Sequence, residues 1–186
     1  MARRDIVVIG ASIGGVEAVS ALVAALPAGF EGAVFVSVSL GTDPVRYLPD
    51  ILSRAGPLAA SHPAHGDEIR GGRILVVPPG RQMLLEGGRV LLADAPRTGS
   101  GKPLDRLFES AALAYGARVV GVVLTGWDGD GAAGLAAIGR AGGARIVQDP
   151  TEAAAPRMPL SALANEGAEI LPVRSIAARL VTLGQE

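Results

Sequence analysis

The chain contains no cysteine and only two histidines in 186 residues. The first absence excludes disulfides and thiol chemistry. The second leaves His62 and His65 as the only imidazoles available for acid–base work or metal binding. Long apolar runs are also missing. The longest are strand-sized, well short of the ~20 residues of a membrane-spanning helix. Met1-Ala2-Arg3-Arg4-Asp5 leads directly into a short strand, without the apolar core of about 7–15 residues that marks a secretory signal. A soluble, cytoplasmic protein without membrane insertion is expected. Net charge is −1, and the basic residues are scattered and, apart from Lys102, all arginine. That balance argues against a nucleic-acid surface, where binding draws on many phosphate contacts. The first glycine-rich turn, Gly10 to Gly15, is not G-x-G-x-x-G, no acidic residue directly follows the second strand, and G-K-[ST] is absent, which argues against a nucleotide-binding domain.

What is present reads as a folded α/β chain. Apolar residues make up 49% and charged residues 19%, a globular balance, and the length fits one domain with a sizeable core. Apolar runs at 6–9, 33–38 (apart from Ser37) and 119–124 read as buried parallel strands, because such strands are covered on both faces. Further strands are expected at 144–148 and 169–171. Helices are expected at 14–26, 44–54, 103–115, 131–141, 160–166 and 173–183. In 103–115 the apolar residues Leu104, Leu107, Phe108, Ala111, Ala112 and Tyr115 recur at helical spacing. The middle breaks the alternation with short strands at 73–77, 82–86 and 89–93, the last two joined by a Gly87-Gly88 turn. These form an antiparallel insert expected at one edge of the main sheet. The stretch 94–102 is polar and glycine-rich, hence a loop. The fold class is a three-layer αβα, doubly wound, mainly parallel sheet with a small antiparallel edge insert.

Two strand ends carry chemistry. Ile9-Gly10-Ala11-Ser12-Ile13-Gly14-Gly15 follows the first strand, and Leu124-Thr125-Gly126-Trp127-Asp128-Gly129-Asp130-Gly131 follows the strand at 119–124. Each is a buried strand running into a glycine-rich turn that opens a helix. Such turns can present Ser12 and Asp130 at the carboxyl edge of a sheet, where ligands bind in these folds. The plain alternatives are an N-cap for Ser12, and helix caps for Asp128 and Asp130 on the helix beginning near Gly131. Trp127 reads equally well as a packing residue or as a lid on the site. His62 and His65 read as ordinary loop histidines, with no spacing suited to a metal pair. No metal and no cofactor are expected.

These segments resemble CheB-type protein-glutamate methylesterases, the catalytic domain that demethylates chemotaxis receptors. The resemblance covers almost the whole chain. It rests on the serine turn, Val77-Pro78-Pro79-Gly80-Arg81, Pro103-Leu104-Asp105-Arg106-Leu107-Phe108, the aspartate loop, Gln148-Asp149-Pro150 and Met158-Pro159. It implies Ser12 as nucleophile, Asp130 as the acidic member of a triad, and amides of Ile13 and Trp127 at an oxyanion site. It also implies one CheB-type methylesterase-like domain over 1–186, with no receiver domain. The partner implied is a chemoreceptor-like helical protein or another signalling protein; the oligomeric state is open.

The chain departs from the family pattern in its cleft. The family places a histidine directly after the second strand, and here Ser39 stands there. Serine has no pKa suited to a general base near neutral pH. Ile13 replaces the threonine usual after the nucleophile, and Trp127 a position often held by methionine. On the cleft rim, Gln82 follows Arg81 where histidine is often found, and 98–102 is glycine- and serine-rich. The implied reading is a protein-glutamate methylesterase family domain that is catalytically impaired and acts as a binding or regulatory pseudoenzyme. The alternative is an active serine esterase with a recruited base. A hydroxyl-lined gap between Ser12 and Asp130 is expected at the carboxyl edge.

Overall fold

A computed structural model describes residues 3–39, 42–96, 102–164 and 166–186. Its centre is β1 (Ile6–Ala11), buried along its whole length. Around it lie β2 (Ala33–Val38), β3 (Ala59–Ser61), β4 (Arg73–Val76), β7 (Val119–Val123), β8 (Ala144–Gln148) and β9 (Glu169–Leu171). They form one seven-stranded sheet in the order β3-β4-β2-β1-β7-β8-β9, with every neighbouring pair parallel. The chain builds outward from β1 in one direction through β2, then returns to the other side of β1 with β7. The reversal between β1 and β7 is a topological switch point, where the two connecting loops diverge and leave a crevice.

Alternation along the strands divides the core in two. Val7, Ile9 and Ala11 face one layer, with Val19 and Leu22 of α1 (Gly15–Ala24), Leu48 and Leu52 of α2 (Thr42–Ala55), and Ile176 and Leu180 of α6 (Val173–Gln185). Ile6 and Val8 face the other. That layer holds Leu104, Leu107 and Phe108 of α3 (Pro103–Tyr115), Leu135 and Ile138 of α4 (Ala132–Arg140), and Met158 of α5 (Arg157–Ala162). Gly10 continues this second face. A Cβ there would overlap the side chain of Leu104, so the glycine lets α3 lie directly on the end of β1.

β5 (Arg81–Glu86) and β6 (Arg89–Asp94) pair antiparallel in a sheet of their own. Gly87 and Gly88 both have positive φ, as a tight two-residue hairpin turn requires. The hairpin does not extend an edge of the main sheet, as its position in the sequence suggests. Met83, Leu85 and Val90 instead join the α3-side core, and the Leu85 amide donates to the Ser110 hydroxyl of α3. The first strand of the expected insert, β4, is an internal member of the main sheet beside β2. The edge belongs to β3, three residues with an exposed–intermediate–exposed pattern that gives no periodic signal.

Candidate active site

The sheet hydrogen bonding runs on past the strand ends and brings the loops together. The Ser39 amide donates to Ala11 O at 2.9 Å, the Leu124 amide to Gly10 O at 2.9 Å, and the Ser12 amide to Thr125 O at 2.9 Å. Ser12, Ser39 and the loop carrying Asp130 therefore share the carboxyl edge, at the switch point. Gly14, with φ of +75°, makes the turn into α1. Gly126 passes so close to the serine that a Cβ on it would lie 2.9 Å from Ser12 Cβ.

Ser12 is buried, and its hydroxyl donates to the peptide oxygen of Ser39 at 3.2 Å. It is not a helix cap: α1 has no side-chain cap, and its N-cap residue is Gly14. At the end of β2, then, Ser12 meets a carbonyl where a serine nucleophile needs a base. The amides of Ile13 and Trp127 have no hydrogen-bond partner among the described residues, as donors awaiting an oxyanion would be. Both side chains are exposed, and the Trp127 ring stacks with the Arg157 guanidinium, 5.9 Å from ring centroid to Cζ.

Asp130 is buried and carries a structural load that the sequence does not announce. Its Oδ2 accepts the Leu104 amide at 2.9 Å and its Oδ1 the Asp105 amide at 2.8 Å. It thus caps α3, not the helix that follows it in the chain. Asp105 returns the favour, with Oδ1 accepting the amides of Gly131 at 3.0 Å and Gly134 at 2.7 Å, at the start of α4. Asp128 accepts the Asp130 amide at 3.2 Å. Burial pushes the Asp130 carboxyl above its ordinary value, against the pull of the Leu104 and Asp105 amides toward the anion.

The histidines are occupied elsewhere. His62 Nδ1 lies 2.9 Å from Val76 O and its Nε2 3.3 Å from Arg46 O. It follows β3, separated from β1 by β4 and β2. Three strand spacings put it about 14 Å across the sheet from Ser12. The Leu92 amide donates to His65 Nδ1 at 3.1 Å, tying that ring to the hairpin. Among the described residues no three His, Cys, Asp or Glu side chains converge to hold a metal ion.

The rim residues separate. Arg81 borders the cleft, held by Ala93 O at 3.2 Å, Leu92 O at 3.3 Å and the Asp94 carboxylate at 3.5 Å. Gln82 turns into the hairpin instead, buried, with its Nε2 donating to Asp94 O at 3.2 Å. Of the 98–102 segment only Lys102 falls among the described residues; it lies 3.7 Å from the Asp105 carboxylate. A cavity of about 190 Å³ opens beside Ser39, lined among others by Ser37, Pro79 and Pro103. It has the hydroxyl lining expected of a gap, but Ser12 and Asp130 are not among its walls.

A seven-stranded parallel sheet with a serine and an aspartate loop at its switch point is matched along nearly the whole chain. The family model described as CheB methylesterase covers residues 7–180. The chain belongs to the CheB methylesterase family. The CheB methylesterase catalytic domain of Thermotoga maritima superposes with a TM-score of 0.90 at 26% identity, covering 98% of this chain and 100% of that one. A protein-glutamate methylesterase/protein-glutamine glutaminase of Anaeromyxobacter dehalogenans is 40% identical over 154 residues, 82% of this chain and 45% of its own. One from Geobacter sulfurreducens is 38% identical over 167 residues, 87% of this chain and 45% of its own. The chain spans about half the length of the curated relatives it matches.

Within this CheB framework, several residues that support the site have no assigned role in the sequence reading. Thr125 Oγ1 donates to Ile13 O at 2.9 Å and accepts the Ala155 amide at 2.8 Å, stitching the serine loop to the segment before α5. Gln148 Oε1 accepts the Thr125 amide at 2.8 Å, and its Nε2 donates to Glu152 at 3.3 Å. Thr125, Gln148 and Asp105 all stand inside motifs that carry the resemblance. That was the one available signal, because the amides and carbonyls they hold at the site lie more than twenty residues away.

Proposed function

We propose that this chain is a CheB-type domain in which ester hydrolysis is impaired, and that it acts by binding a signalling partner. The observation that carries the reading is Ser39. It stands at the end of β2, and its peptide oxygen is what the Ser12 hydroxyl meets. Ser12 keeps the place of a nucleophile, Asp130 that of an imidazole-orienting acid, and the Ile13 and Trp127 amides that of an oxyanion site. A carbonyl cannot accept the serine proton, so attack on an ester lacks its first proton transfer. In subtilisin, removing the triad histidine costs on the order of 10⁶ in kcat.

The partner fitting this reading is a helical, chemoreceptor-like protein in the cytoplasm, as the family resemblance implies, and the relatives' names are those of enzymes acting on glutamate and glutamine in proteins. Those names include both glutamate methyl ester hydrolysis and glutamine deamidation. Both run through acyl transfer at one serine, so both should be impaired together. We take residues 1–186 as one such domain. The test is single-turnover release of methanol from a methyl-esterified receptor helix, and of ammonia from its glutamine counterpart, by wild type and Ser12→Ala. Equal, background rates are expected. Wild-type turnover that Ser12→Ala abolishes would overturn the reading and favour a recruited base.

A further inference from the structure

Away from the cleft, the outer end of the sheet carries a polar hollow of about 390 Å³. β3 and β4 pair with Ala59 opposite Arg73 and Ser61 opposite Leu75, so these four side chains point to one face. Leu75 packs into the α3-side core, so this is also the face of the hairpin. Segment 66–70 and the start of β6 border the hollow, with Leu75 buried at its floor and Ser61 at one wall. Three guanidinium groups line it, those of Arg70, Arg73 and Arg89. The turn between Arg70 and Arg73 is fixed by backbone: the Gly72 amide donates to Gly32 O at 3.0 Å, and a Cβ on Gly71 would collide with Glu31 O. Arg89 is held by Gly66 O at 2.8 Å. The neighbouring carboxylates do not balance these cations. Glu68 serves two of them, Arg70 at 2.9 Å and Arg89 at 3.8 Å, and its hydrogen bond from Arg70 is the main cause that holds its carboxyl below the ordinary value. Asp67 Oδ2 accepts the Ala64 amide at 2.8 Å. Arg73 has neither a hydrogen bond nor an ion pair among the described residues. Three cations against two carboxylates leave one positive charge, and Arg73 is where it is uncompensated.

We propose that this hollow is a docking site for an acidic side chain of a protein partner, with Arg73 pairing the incoming carboxylate and Arg70 and Arg89 flanking it. The inference rests on the reading that the chain acts by binding a signalling partner. A guanidinium fork matches a carboxylate with two parallel hydrogen bonds. One residual charge suits a carboxylate better than a phosphate dianion. The site is open and its arginines are exposed. An exposed ion pair alone contributes little, so a free small acid gains no hold there, whereas a protein segment brings neighbouring contacts with it. Converting the acid to its amide or methyl ester removes the charge that Arg73 pairs, so the hollow distinguishes the free acid from both neutral forms. β2 separates these strands from β1, so the contact is independent of the Ser12 turn.

The test uses the full chain and three forms of one fluorescein-labelled helical peptide: with paired Glu residues, with Gln in their place, and with the glutamates methyl-esterified. Anisotropy titration should show saturable binding of the Glu form, at least about tenfold tighter than either neutral form, or 1.4 kcal/mol. Amide NMR shifts should gather at Ser61, Arg70, Arg73 and Arg89. Arg73→Gln should remove the preference for the Glu form. Arg73→Lys should keep only part of it, because an ammonium lacks the planar fork, and Arg140→Gln on α4 should leave it unchanged. Raising ionic strength from about 0.1 to 1 M should weaken the Glu form alone. That salt series and the comparison of the three peptides need only wild-type protein, so they stand even if an Arg73 variant fails to fold. Equal affinity for the three forms, or shifts that gather at the Ser12 turn, would overturn the docking site. Free glutarate binding as tightly as the Glu peptide would overturn the protein partner and leave a small-anion site. Ser12-dependent ester hydrolysis would instead sink the impaired-enzyme reading, a separate result from a separate assay.

Discussion

The hydroxyl of Ser12 and the carboxylate of Asp130 are both satisfied without any imidazole, one by a peptide carbonyl and the other by two helix amides. A histidine at 39 would extend from β2 toward α3, into the space beside Pro103. Ser39→His should therefore raise single-turnover ester hydrolysis by about 10²-fold over wild type, the lower end of general-base effects. The gain should be partial, because Ile13 and Trp127 also alter the oxyanion side, and it should be lost when Ser12→Ala is added. A quench-flow assay of methanol release checks it. Asp130 offers a second measurement. Its carboxyl is raised by burial, so between the ordinary value of 3.8 and the raised folded value the native state binds more protons than the unfolded chain. Stability from this group is then present at low pH and falls as pH rises through the folded value. Urea titrations of wild type and Asp130→Asn across pH 4 to 7, about the window of carboxylate titration, should show the wild-type advantage shrinking as pH rises.

At the scale of elements, the aspartates of α3 and of the loop before α4 cap each other's helices. Asp105→Ala should cost about 2 kcal/mol, the upper end for loss of a helix cap, because two amides at the start of α4 lose a buried partner. Chemical denaturation measures it, and Asp105→Asn should keep part of the loss back, since one amide oxygen remains. Sequence patterning locates α3 to the residue, because its apolar stripe is periodic and Pro103 opens it. It places β8 and β9 equally well. It misses β3, whose three residues show no alternation, and it assigns the Asp130 cap to the wrong helix. A cap is read locally from sequence, as an acid just before a helix. Here the amides belong to a helix twenty-five residues upstream, and only the α3–α4 packing brings them within reach. Ser12 and Ser39 are legible as strand ends for the opposite reason: parallel neighbours in register put consecutive loop starts side by side.

For the molecule as a whole, the parallel sheet is continuous and the hairpin is an addition to it. Among the described residues, β5 and β6 form a two-stranded sheet of their own, tied to the segment 66–69 by the Glu68–Arg89 bridge and the Val90 backbone bonds to Gly66 and Asp67, and they rest on α3. Strands at the centre of a sheet open only with global unfolding, whereas a two-strand unit can detach locally. Amide hydrogen exchange should therefore be faster in β5 and β6 than in β1 and β7, by at least about tenfold, or 1.4 kcal/mol of opening free energy. Equal protection would mean that the hairpin unfolds only with the core. The reciprocal caps also bear on inheritance. A residue held in place by folding outlives the reaction it once served, while one held only by the reaction is free to drift. On the proposed reading Asp130 is of the first kind and position 39 of the second. A surviving aspartate in such a domain is thus a poor witness to activity, and the residue that follows β2 is the one to question.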